Sequence, residues 1–149
     1  MDRREVLKGL FSFTAVAAAV NASSQQAQEH EHEHHHEHAP AKYGALVNTA
    51  GECVKTGEVC LAHCHESLAA GDKSLGECAK RVSDLLAACS ALRTLAAQNS
   101  SFVPQYAKLT MEVCTACEKE CQKHTQHEQC KACGDACAAC ARECKKLST

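Results

Sequence analysis

Tryptophan is absent, and three phenylalanines and two tyrosines are the whole aromatic content of the 149-residue chain. A conventional aromatic-rich core is therefore excluded. A charge excess of one sign is also missing, since the formal net charge is −2. That balance gives no electrostatic reason to expect a nucleic acid as partner. No apolar run is long enough to span a bilayer as a permanent anchor. The longest, Leu10 to Val20, falls short of the roughly 20 residues a membrane helix needs. What the chain has instead is cysteine, at 13 of 149 positions, an odd number.

The first 22 residues read as an export signal. Arg3-Arg4-Glu5-Val6-Leu7-Lys8 is a charged leader followed by the short apolar run, and its pattern resembles the twin-arginine type. Cleavage is expected between about Ala22 and Ala27. The product is expected in the periplasm or another membrane-enclosed compartment outside the cytoplasm. Residues 23–42 are polar and low in complexity, and they are not expected to fold. They contain the tract His30-Glu31-His32-Glu33-His34-His35-His36-Glu37-His38. Neutral imidazoles in such a tract can collect metal ions, and an acidic tail with no such role is the alternative.

From Tyr43 the apolar positions recur every three or four residues, the period of one face of a helix. Helix 1 is expected over Tyr43–Ala70 with the stripe Leu46, Ala50, Cys53, Gly57, Cys60, Cys64, and Gly71 is a suitable C′ residue. Ser74-Leu75-Gly76-Glu77 matches a capping box that opens helix 2, whose stripe is Leu75, Cys78, Val82, Leu85, Cys89, Leu92, Ala96. Asn99-Ser100-Ser101 ends it. Helix 3 is expected over Phe102–His124, with Pro104 in the first turn and the stripe Val103, Ala107, Thr110, Cys114, Cys117, Cys121, His124. Thr125-Gln126-His127-Glu128 is a second capping box. Helix 4 then carries Cys130, Cys133, Cys137, Cys140 and Cys144 on one face, with Leu147 beyond. Short connections make neighbours antiparallel. The fold class is therefore all-α, an up-down-up-down four-helix bundle over residues 43–149 with a cysteine-lined core.

All 13 cysteines fall on inward stripes. Disulfides are disfavoured there, because Cβ bonds on one helix face run parallel and bundle axes stand roughly 8–10 Å apart. Cysteine as plain filler explains one or two positions but not five successive ones. Thiolates select soft metals: Cu(I), Zn(II) or an iron–sulfur cluster. One Cu(I) per thiolate leaves a buried core near neutral. Zn(II) with four thiolates leaves two negative charges, and the stripes hold no Lys or Arg to meet them. Iron–sulfur cysteines typically form a Cys-x-x-Cys-x-x-Cys run, which is absent. The Cys-x-x-x-Cys pairs Cys60/Cys64, Cys117/Cys121, Cys133/Cys137 and Cys140/Cys144 each set two sulfurs on one side of a helix. About one Cu(I) per Cys is the expected load, with His63 as the best imidazole candidate. His124 and His127 are open between ligand and solvated helix end. Met111 is more readily a packing residue than a thioether ligand. The stripes offer no paired carboxylate, so no enzyme is expected.

A signal-like leader, four helices, and inward cysteines with Cys-x-x-x-Cys pairs resemble the bacterial copper storage proteins of methane oxidisers. The resemblance implies a homotetramer of bundles, each holding many Cu(I) ions for supply to copper enzymes such as methane monooxygenase. Sequestration and detoxification use the same chemistry and stay open as the physiological role. One end of the bundle is expected to gather His63, His124 and His127, and the other to be closed by Leu92, Val103 and Leu147.

Overall fold

The computed structural model describes residues 42–147. The leader 1–22 and the His/Glu tract lie outside the described residues. Four helices follow one another: α1 Gly44–Ala69, α2 Gly76–Ala97, α3 Val103–Cys121 and α4 Glu128–Lys145. A single 3₁₀ turn, Gln122–His124, extends α3. Each helix packs on two others, in the cycle α1, α2, α3, α4 and back to α1. α2 therefore stands diagonally across the core from α4.

The helix ends show why the chain turns where it does. Gly71 has φ +94°, in the region that favours glycine, and it closes α1 in a Schellman motif. In it the Asp72 N–H donates to the Ser67 carbonyl and the Gly71 N–H to the Leu68 carbonyl. Asn99, at φ 51°, closes α2 in the same way, with Ser100 N–H donating to Leu95 and Asn99 N–H to Ala96. Both expected capping boxes are displaced. Ser74 spends its N–H on Asp72 Oδ1 at 2.9 Å in a local turn, and α2 starts at Gly76 with Leu75 as N-cap. The 3₁₀ turn after α3 uses up Thr125, so His127 becomes the N-cap of α4 and Glu128 its first residue. Neither N-cap makes a side-chain hydrogen bond.

The expected stripes are the buried faces. Leu46, Ala50, Cys53, Gly57, Cys60 and Cys64 are the buried residues of α1. All seven stripe residues of α2 are buried, joined by Ala79 and Ala88. Leu147 is half-buried rather than closed in. The helices approach closely where glycine stands on a stripe or beside it. A Cβ on Gly134 of α4 would come within 3.2 Å of Cys121 Cβ on α3, and one on Gly57 of α1 within 3.0 Å of Leu86 Cδ2 on α2. These small residues draw the thiol-bearing faces inward, so that sulfurs from different helices converge.

Candidate metal centre

All 13 cysteines are buried free thiols. Twelve have no exposed surface and Cys121 has 1%. Four groups of them have sulfurs within 4.8 Å of one another. Cys53, Cys89, Cys114 and Cys140, one from each helix, form a tetrad toward the start of α1. Cys60, Cys64, Cys78 and Cys130 form a second tetrad toward its end. Between them lie two triads, Cys60/Cys121/Cys133 and Cys117/Cys133/Cys137. Close thiol pairs run through the set: Cys60 to Cys130 at 3.7 Å, Cys89 to Cys114 at 3.8 Å, and Cys78 to both Cys121 and Cys130 at 3.9 Å. Cys144 lies outside the four groups but interacts with Cys140.

Burial disfavours the thiolate, and it pushes Cys64 up to about 12 and Cys130 up to about 11. Deeper in, the thiols divide into donors and acceptors. Cys140 is pulled well down by hydrogen bonding from Cys114, and Cys133 by hydrogen bonding from Cys117. Cys114, donating to Cys140, is pushed up. A sulfur that gives up its proton to a metal ion is thus surrounded by thiols able to donate to it. Among the described residues no Lys or Arg is buried; the buried polar and charged residues there are Thr110, Glu120 and His124.

The imidazoles gather at one end. His63 Nε2 lies 2.9 Å from His127 Nδ1, with ring centroids 4.8 Å apart, and both side chains are half-buried. His124 is 9% exposed, and its Nε2 is 3.4 Å from Glu120 Oε1. His65 is exposed. None of the four sulfur groups includes an imidazole. His63 is thus brought to the rim of the thiol array rather than into a group. Met111 is half-buried, packed on the outside of the core cluster. Glu120 is the residue the stripe pattern missed. Lys123 hydrogen-bonds its carboxylate and holds it below the usual range despite burial, with His124 as second partner. The signal was there in the spacing, since Glu120 stands three residues before Lys123 and four before His124. A carboxylate behind an imidazole fixes the orientation of that ring. The opposite end is closed by Leu46, Leu92 and Val103, all buried.

A four-helix bundle lined by thiols from every helix, with imidazoles at one end, defines the class of bundle proteins that carry a sulfur-lined core. Residues 39–149 match the profile of the copper storage protein family, and the chain belongs to that family. Its structure is similar to the Cu(I)-bound copper storage protein BsCsp3, with TM-score 0.67 and 26% identity over 72% of this chain and 98% of that one. The metal-free copper storage protein 3 of Bacillus subtilis gives TM-score 0.64 and 25% identity over 72% and 99%. A cytosolic copper storage protein from Streptomyces lividans, carrying five coppers, matches in fold with TM-score 0.63 and 23% identity over 69% and 88%. No curated protein matches the chain significantly in sequence.

These relatives correct one expectation. The leader reads as an export signal and places the product in the periplasm or a similar compartment. The Streptomyces lividans protein of the same fold is cytosolic, and the extracytoplasmic assignment does not stand against it. The reading rested on Arg3-Arg4 and a short apolar run alone. Among the described residues no helix is long and apolar enough to cross a membrane.

Proposed function

We propose that this chain stores several Cu(I) ions, about one per cysteine, on Cys53, Cys60, Cys64, Cys78, Cys89, Cys114, Cys117, Cys121, Cys130, Cys133, Cys137, Cys140 and Cys144. The observation that carries this reading is the set of four sulfur groups, each with its atoms within 4.8 Å, spread along the core. Two thiolates sharing one metal ion, at the roughly 2.3 Å of a metal–thiolate bond, stand at most about 4.6 Å apart. The sulfurs stand close to that limit, so small side-chain rotations suffice to bring them onto shared ions. Monovalent copper also fits the charge, because among the described residues no Lys or Arg is buried to offset the surplus of a four-thiolate divalent site. The copper-loaded relative of 26% identity supports the same cargo.

The role is holding rather than catalysis, since the groups supply sulfur alone, with no carboxylate or imidazole positioned for proton transfer. Residues 43–149 form the holding unit. A homotetramer and supply to copper enzymes, methane monooxygenase among them, rest on the family resemblance. Phe102, 63% exposed, and Leu109, 51% exposed, offer an apolar strip on α3 for contact with further copies.

The test of sulfur ligation is proton release. Buried thiols must lose their protons to become ligands. Adding Cu(I) to reduced protein in weak buffer is expected to release about one proton per ion bound. Release well below that ratio contradicts thiolate ligation. Uptake is proposed to run through the imidazole end, where His63 and His127 meet. A His63→Leu, His124→Leu, His127→Leu variant is expected to load at least several-fold more slowly by stopped-flow absorbance while reaching nearly the same final load. An unchanged rate overturns that route.

A further inference from the structure

The four sulfur groups are not one continuous chain. Cys60 belongs both to the tetrad at the imidazole end and to the first triad, and Cys133 belongs to both triads. An ion can therefore move among these three groups by exchanging one ligand at a time on a shared sulfur. The tetrad Cys53/Cys89/Cys114/Cys140 shares no member with the other three. It also lies beside the closed end, where Leu46, Leu92 and Val103 are buried. Ions arriving from the imidazole end must cross a gap to reach it.

A contact spans that gap. Cys137, a member of the second triad, interacts with Cys53 of the isolated tetrad. The placement of Cys53 is fixed independently by the backbone of α4. Its thiol donates to the Ala136 carbonyl at 3.3 Å, one residue from Cys137 and four from Cys140. Cys53 thus reaches from α1 across to the backbone of α4 beside Cys137.

We propose that Cys137 and Cys53 form the handover point through which Cu(I) passes from the three linked groups into the tetrad at the closed end. This rests on the copper-storing reading above. The step is ligand exchange without redox change. As copper binds Cys53, the Cu–S bond to Cys137 breaks, and the proton leaving the Cys53 thiol is taken up by the Cys137 thiolate. The copper stays Cu(I) throughout. The store then has two compartments: one of three linked groups that exchanges readily at the imidazole end, and one behind the handover that fills and empties later.

The experiment is stopped-flow loading of the reduced full chain with excess Cu(I), supplied as its acetonitrile complex, followed by the near-ultraviolet absorbance of copper–thiolate bonds. Two phases are expected, and a Cys89→Ala, Cys114→Ala variant is expected to lose most of the slow one, which assigns it to the isolated tetrad. Cys137→Ala leaves all four members of that tetrad intact, yet it is expected to slow that phase at least tenfold, while the fast phase loses only the share of the second triad, to which Cys137 belongs. Cys53→Ala, on the other side of the gap, removes a tetrad sulfur as well as the handover and is expected to reduce the amplitude of the slow phase besides its rate. Cys64→Ala removes a sulfur from the imidazole-end tetrad and is expected to leave the slow rate within twofold. Circular dichroism checks that each variant is helical. A single phase in the unmodified chain, a fast phase assigned to the isolated tetrad, or a slow rate within twofold in Cys137→Ala overturns the handover. Absence of any copper–thiolate absorbance overturns the storing function itself, a different result from the others.

Discussion

Replacing the five cysteines of α4 with alanine is expected to remove well over half of the copper load. The share exceeds their number, because they are 5 of 13. The reason is their distribution. Cys140 completes the tetrad at the closed end, Cys130 the tetrad at the imidazole end, and Cys133 serves both triads with Cys137 in one of them. Every group loses at least one sulfur and the second triad keeps only Cys117. Buried ions with fewer thiolates lose both ligands and charge compensation. Removing Cys144 alone, which lies outside the four groups, is expected to lower the load by no more than about one ion. Metal analysis of the isolated proteins checks both. A loss in the quintuple variant of no more than five ions would mean that the sulfurs act one by one rather than in groups.

Leu85→Ala is expected to destabilise the metal-free protein by about 2–5 kcal/mol, the usual cost of emptying a fully buried leucine site. Leu85 has no exposed surface and is among the largest fully buried side chains. It packs against α1 at Gly57, where its Cδ2 lies 3.5 Å from the position a Cβ would take. With Leu75, Val82 and Leu92 it makes α2 the aliphatic wall of a core whose other walls are largely thiol. Thiols bury less apolar volume than leucine, so metal-free stability is concentrated in α2. Copper then adds stability by binding the native state alone, about 2.7 kcal/mol for a site at 100 times its dissociation constant. Urea unfolding of metal-free and copper-loaded Leu85→Ala, followed by helical circular dichroism, is expected to show a similar loss in both, with the copper-loaded form starting from a higher stability. A loss below about 1 kcal/mol in the metal-free form would contradict the assignment of α2 as the wall that holds the fold.

Much of this architecture is legible in the three-and-four spacing. Each stripe residue from Leu46 to Cys64 and from Leu75 to Ala96 is buried, because the period of a helix face is a property of the sequence. The helix starts are less legible. Ser74 and Thr125 have the side chains of caps, but the Asp72 turn and the 3₁₀ turn at Gln122–His124 decide where α2 and α4 begin. Those turns follow from how the hairpins close, which no local motif encodes. The grouping of sulfurs is also beyond the stripes. The pattern places Cys53 and Cys137 on inward faces, but their meeting depends on the relative register of α1 and α4. Glu120 escaped notice because a carboxylate on the stripe's edge is buried only once Lys123 and His124 fold over it. The position of Met111 outside the core likewise depends on helix rotation.

The central claim is that the thiol core is a Cu(I) store. It is tested most directly by titrating the reduced, metal-free full chain with Cu(I) without oxygen and measuring copper and protein in the isolated complex. The account predicts a colourless complex with about one copper per cysteine, close to the 13 thiols of the chain. A plateau at three or four metal ions per chain, or a brown iron-containing product on isolation, would contradict it.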